Sequence, residues 1–329
     1  MVQIMLIIFF FFFFQYIAPA QSYHSFKSFK LPSIGSEAYA FDSKNGGPYT
    51  GLNDGRIVKY HGPELGFQEF ASTSANRSRG LCDGKNADDP KIGPTCGKTI
   101  GLEFNHITGD LYIADAFYGI MVVGSGGGIA RPLCHGMHFD YPDGIAIDQT
   151  TGDIYLSDLG SVFTRTNNMT EILLKGDSTG RLLKYDPKTN ETTVLLTRLA
   201  MPAGLVVSRD GSFVLITEYV ECRITRYWLK GPKANTTDIF VNLPGNPDNI
   251  KRTRTGDFWV AVNIHKVHPQ LTVFPLGQKI SPDGRILETV NFYQEYNATY
   301  ITEVQENGGM LYVASIYTDF AGVYRGLKC

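Results

Sequence analysis

The chain has 329 residues, 43% of them hydrophobic, and 35 glycines, which suits a large core built from many short strands and tight turns. Thirty basic residues against 32 acidic ones leave a formal charge of -2, so there is no basic stripe of the kind a nucleic-acid partner needs.

The first segment reads as a leader. Ile4 to Phe14 is an unbroken apolar run of eleven residues with six consecutive phenylalanines, too short to span a bilayer. Ala18-Pro19-Ala20 follows with a small-x-small cleavage pattern, although no Lys or Arg precedes the apolar run. The expectation is a signal peptide over 1–20, a mature chain over 21–329, and no membrane attachment after cleavage. That route leads to the vacuole or the extracellular space. Five Asn-x-Ser/Thr sequons, at Asn76, Asn168, Asn190, Asn235 and Asn297, agree with a lumenal glycoprotein. So do the cysteines: Cys82 and Cys96 close a short polar loop and form the natural disulfide pair in an oxidising compartment. The partners of Cys134, Cys222 and Cys329 stay open.

Beyond the leader one pattern recurs six times: a turn with Gly, two adjacent apolar or aromatic residues, then small or polar ones. The copies begin at Gly46, Gly109, Gly152, Gly211, Gly256 and Gly309, and their central residues are Tyr49, Tyr112, Tyr155, Val214, Trp259 and Tyr312. They are 43 to 63 residues apart, about one four-stranded blade. Short apolar segments precede the repeat, as in Ala38–Asp42, Gly144–Asp148 and Gly204–Ser208, and read as the first strand of a hairpin. Gly55–Tyr60 and Gly180–Tyr185 look like equivalent third strands. Long amphipathic helical stretches are absent. The fold class is therefore all-β, a single-domain six-bladed β-propeller.

In a propeller the loops that enter the innermost strands converge on the axis. Ten to twelve residues before each repeat centre stand Glu37, Ile100, Asp143, Ala203, Asp248 and Thr302, with Asn249 and Glu303 adjoining the last two. Three of the six are carboxylates, and converging oxygen ligands suit a hard cation such as Ca2+. Asp143 and Asp248 also follow prolines in turn-like sequences, where Asp commonly serves the turn alone. Tyr141, Phe139 and Tyr300 lie near these positions and would line a pocket for a small-molecule ligand or substrate. His265 and His268 sit in a polar insertion that would roof it. Gly176-Asp177-Ser178-Thr179-Gly180 matches a nucleophile pattern but has a β segment after it instead of a helix.

Several of these segments, namely Ser36–Asp42, Asp54–Tyr60, Cys82 to Cys96, Thr179–Pro187, Tyr227–Pro232, Asn249–Arg252 and Val304-Gln305-Glu306, resemble plant strictosidine synthase and strictosidine synthase-like proteins over essentially the whole mature chain. The resemblance implies a six-bladed propeller and the Cys82–Cys96 disulfide. It also implies condensation of tryptamine with secologanin, a reaction of alkaloid biosynthesis that needs a Glu base. That base falls on Thr302 here, the family's neighbouring His falls on Tyr300, and its third-blade pocket Tyr falls on Asp143. Glu303 is the nearest replacement for the base. Glu37, Asp143, Asp248 and Asn249 instead resemble the axial calcium ligands of propeller hydrolases acting on esters and lactones, although the fourth-blade ligand is replaced by Ala203 and no second-blade His is present. The expectation is a hydrolase using Asp143 and Asp248, with the condensing enzyme or a non-enzymatic binding propeller as alternatives.

Overall fold

The computed structural model describes residues 23–133, 137–161, 176–266, 272–297 and 299–326. The leader, Asn168, His268, Cys134 and Cys329 lie outside them. The described chain is nearly all β and forms six blades in one ring, antiparallel apart from Gly128–Ile129, which adds in parallel to the outer edge of the first, each copy of the repeat supplying the second strand of a blade.

Blade one runs from the axis outward as Tyr39–Ala40, Tyr49–Gly51, Arg56–Tyr60 and Phe67–Ser72, and blade two as Thr99–Phe104, Leu111–Asp115, Gly119–Val123 and Arg131–Pro132. Blade three comprises Pro142–Ile147, Ile154–Asp158, Gly180–Asp186 and Glu191–Leu199; blade four comprises Pro202–Val207, Phe213–Glu218, Arg223–Trp228 and Thr237–Asn242. Blade five is Asn246–Arg252, Phe258–Lys266, Thr272–Ile280 and Ile286–Asn291. Blade six takes Glu303–Asn307, Met310–Ala314 and Phe320–Gly326 from the end of the chain and Tyr23–Lys30 from its beginning as the outer strand. Phe26 stands opposite Tyr324 and Lys30 opposite Phe320, so the ring is closed by joining the two ends of the chain in one sheet. The sequence reading did not find this strand, because Tyr23–Lys30 carries no Gly turn and no copy of the repeat.

The blades need one another. Their inner strands are buried on both faces, so a blade can bury itself only between two neighbours, and a ring supplies two to every blade. The core is accordingly a set of layers between blades. Tyr49, Phe104 and Leu111 fill the space between blades one and two, and Leu215, Ile250 and Val260 that between four and five. Tyr39, Tyr312 and Val323 close the gap between six and one. One further cluster, with Ile100, Tyr141, Met201, Ala203 and Tyr219, lies on the axis itself.

The inner strands share a device that aims residues at the axis. In four blades the pairing of first and second strand slips at the same place: between Thr99 and Gly101, Pro142 and Ile145, Pro202 and Leu205, and Pro247 and Ile250. Such bulges re-aim a side chain and leave backbone groups unpaired. Hydroxyls of the second strand meet them: the Gly144 N–H donates to Ser157 Oγ at 2.7 Å, Ser157 Oγ donates to the Ala203 carbonyl at 2.7 Å, and the Gly204 N–H donates to Thr217 Oγ1 at 2.8 Å. Each slip also brings one inner strand onto the next. A Cβ on Gly101 would collide with the Asp143 carbonyl, one on Gly144 with the Ala203 carbonyl, and one on Gly204 would lie 2.6 Å from the Asn249 Cα. Glycine is therefore required for close approach at these positions.

Replacing Gly144 by Ala forces apart blades three and four at the axis. The expected outcome is a stability loss of about 1–3 kcal/mol, read as a lower denaturant midpoint with an unchanged slope.

Candidate active site on the propeller axis

The slipped inner strands end in a cavity of about 80 Å³ at the entry side of the ring. All six residues that the repeat register selects, Glu37, Ile100, Asp143, Ala203, Asp248 and Thr302, line it. Tyr141 and Tyr300 line it too, as expected, whereas Phe139 packs between blades two and three. His265 lies outside it, with its ring 5.3 Å from that of Tyr300.

Each axial side chain is held by its approach. Glu37 follows Gly35 and Ser36, whose φ values of 126° and 145° are left-handed, a strained arrangement for the buried serine. In blades two, three and four a buried carboxylate at the end of the second strand fixes the entering loop. The N–H groups of Lys98, Tyr141 and Ala200 donate to Asp115, Asp158 and Glu218 at 3.0, 2.8 and 2.9 Å. Arg181 pairs with Asp158, and Arg223 with Glu218 at 2.8 Å. In blades five, six and one polar staples take the place of glycine contacts. The Asn249 N–H donates to the Thr302 carbonyl at 2.9 Å, and Thr302 Oγ1 donates to the Glu37 carbonyl at 2.7 Å.

Those staples correct two expectations. Asn249 turns its amide to the Glu37 carbonyl, 3.4 Å away, and offers the cavity no ligand. Glu303 is fully buried and points away from the cavity: Oε1 accepts the Tyr39 N–H at 2.8 Å and Oε2 lies 3.5 Å from Lys251 Nζ. Successive residues of a strand face opposite sides, so Thr302 in the cavity puts Glu303 outside it.

The sequence reading also missed residues that line the cavity. Lys98 arrives from the loop behind the Cys82–Cys96 disulfide, with its ammonium 2.6 Å from Asp88. Leu159, Tyr219 and Ile316 each follow the last polar residue of a repeat, Asp158, Glu218 and Ser315, so the same register could have found them. Met201 and Tyr317 complete the wall.

The electrostatics are one-sided. Burial raises the Glu37 carboxyl well above its ordinary range, and Asp248 and Asp143 push it further, against the pull of Lys98. Asp248 is likewise raised well above its range by burial and then by Asp143. Burial lifts Asp143 from 3.8 to about 7, with Lys98 opposing. A low-dielectric wall and like charges both disfavour the ionised form. Two buried polar atoms here have no partner: Asp143 Oδ1 and the Tyr219 hydroxyl. Both residues line the same cavity.

Among the described residues no group of three or more His, Cys, Asp and Glu side chains stands close enough to hold a metal ion. Glu37, Asp143 and Asp248 thus share a cavity without forming a coordination shell as they stand. The expected disulfide between Cys82 and Cys96 is present, and Cys222 is free. Asn76, Asn190, Asn235 and Asn297 are all exposed.

Fold and cavity together define a six-bladed propeller with a small axial pocket of buried carboxylates and phenols. A model described as strictosidine synthase matches residues 143–232. Strictosidine synthase-like protein 12 of Arabidopsis thaliana is 39% identical over 92% of this chain and 90% of its own length. Strictosidine synthase of Catharanthus roseus is 37% identical over 89% of this chain and 84% of its own. The chain belongs to the strictosidine synthase family. Among solved structures, a gluconolactonase from Xanthomonas campestris superposes with a TM-score of 0.63 over 92% of this chain and 89% of its own, at 13% identity, a likeness of fold alone.

The raised carboxyls give a signed pH dependence. From about pH 4 to about pH 7 the folded protein holds a proton on Asp143 that the unfolded chain has lost. This group's contribution is fully present below that window and is lost as pH rises through it. Asp143→Asn should therefore melt higher than the wild type at pH 8 and show less loss of stability between pH 4 and pH 7, as measured by thermal unfolding across that range.

Proposed function

We propose that the axial cavity hydrolyses a small ester or lactone. The observation that carries this reading is a pair of unpartnered buried atoms, Asp143 Oδ1 and the Tyr219 hydroxyl, on residues that line one cavity. A carboxylate half-ionised near neutral pH is suited to general-base work, and a phenol held in a dry site is suited to stabilising an oxyanion. Asp143 Oδ1 takes a proton from water as its oxygen adds to the substrate carbonyl. The oxygen of the tetrahedral intermediate accepts hydrogen bonds from Tyr219 and from the neutral carboxyl of Glu37 or Asp248, each kept protonated by burial and then by its neighbours. Collapse expels the alkoxide, which takes the proton back from Asp143. Carboxyls whose environments push their pKa values apart supply both the base and the acid. Ile100, Met201 and the tyrosines exclude bulk water and limit the substrate to a small apolar or aromatic ester.

A second reading, a Ca2+ ion on Glu37, Asp143 and Asp248, is favoured by the same unpartnered Oδ1 and by three carboxyls that a cation would ionise, with Lys98 as their cationic neighbour. It requires the three side chains to draw together. Condensation of tryptamine with secologanin is not expected: Thr302 spends its hydroxyl on the Glu37 carbonyl, and Glu303 faces away from the cavity. We place the protein in the secretory route, vacuolar or extracellular, as a glycoprotein; the exposed sequons and the disulfide support this.

The test is a panel of small esters and lactones, followed by variants on any substrate turned over. Asp143→Asn should lower kcat/KM by at least about a hundredfold. Tyr219→Phe should lower kcat by roughly a hundredfold. The wild-type rate should rise with pH along a limb centred near about 7. Loss of the rate in chelator, restored by calcium, would replace this reading with the metal one. Inertness across the panel would leave a non-enzymatic binder.

A further inference from the structure

The inner strands leave the axis on the opposite side of the ring, into a second cavity of about 410 Å³. It is separate from the first. Lys251 Nζ, 3.5 Å from both Glu103 and Glu303, forms a buried partition between the two. The second cavity has no role in the proposed hydrolysis, and the acids and arginines that line it are not paired with one another.

Most acids around it are already engaged. Glu103 faces Lys251. Glu306 accepts from Lys279 at 3.3 Å and from the Trp259 indole at 3.2 Å. Asp42 accepts the Gly46 N–H at 2.8 Å and the Tyr49 hydroxyl at 3.0 Å. The arginines are not engaged in the same way. Half-buried Arg252 donates from Nε to the Val207 carbonyl at 3.1 Å, and no carboxylate among the described residues lies within ion-pair distance of it. Arg254 is exposed at the rim, also without an ion pair among the described residues. Gln305 Oε1 is buried without a partner on the same wall, and its amide can turn to present N–H instead. The groups that Arg252 feels at longer range are Glu103 and Asp148 on one side and Arg209 on the other, and Asp148 is occupied by the Thr150 N–H at 2.9 Å.

A guanidinium offers five donors in a fixed planar fork suited to a carboxylate or a phosphate, and a half-buried one without an anion has its remaining donors to spare. We infer that this cavity is a binding site for a small anion, a carboxylate or a phosphate, seated on the guanidinium of Arg252 with Arg254 at the rim and the Gln305 amide beneath. The site is independent of the axial cavity and of the chemistry proposed there.

Calorimetric titration of the purified full chain at neutral pH and low salt, once with inorganic phosphate and once with succinate, tests this. Saturable uptake of either anion is expected, and which one binds identifies the class. Arg252→Gln should weaken it by about tenfold or more, as loss of a charge-assisted pair does. Arg254→Gln, at an exposed position that does not threaten folding, should weaken it by a smaller factor. Asp143→Asn, beyond the partition, should bind the anion as the wild type does. No saturable uptake of either anion, or equal uptake by wild type and both arginine variants, would overturn the proposal.

Discussion

The rest of the structure depends on the contact between inner strands at the axis. Six strands can meet around one line only if their backbones approach closely. On one side of the ring the chain achieves this by omitting side chains, at Gly101, Gly144 and Gly204. On the other it uses hydrogen bonds from Asn249 and Thr302. The bulges that accompany the glycines turn the preceding residue in each blade inward. The size of the cavity, the identity of its lining and the apposition of its carboxylates all follow from that packing.

The cavity is costly to assemble. Three buried carboxyls line one cavity with, among the described residues, the Lys98 ammonium beside them, and that ammonium is held by Asp88. Folding keeps them by leaving them protonated through a range where free carboxyls have ionised, which withdraws stability as pH rises. Buried carboxylates that serve structure are treated differently in the same protein. Asp158 and Glu218 each receive a backbone N–H and an arginine. Asp143, with an Oδ1 that has no partner, differs in this from acids a few residues away in the same blades, and the proposed hydrolysis rests on that difference.

Much of this was legible beforehand. The six Gly-turn copies fixed the blade count, since a hairpin has to put a turn between its strands and the turn chemistry survives in the residues. Their spacing also selected Glu37, Asp143 and Asp248 as axial. Glu303 and Asn249 each adjoin a residue that lines the cavity but do not line it themselves, because a strand sends neighbours to opposite faces. Tyr219 and Leu159 lie in the turn after a second strand, away from the strand entries that the repeat register selects.

By itself, then, the sequence determined the blade architecture, the axial register and the pairing of Cys82 with Cys96, because each rests on a local pattern of turns, alternating burial or loop closure. Only the tertiary structure decided that Tyr23–Lys30 closes blade six, that Thr302 is spent on the Glu37 backbone, that Lys251 and Glu303 divide the axis into two cavities, and that Asp143 and Tyr219 keep unpartnered polar atoms. Those outcomes depend on contacts between blades far apart in the chain, and no local pattern encodes which side chain a distant backbone group will meet.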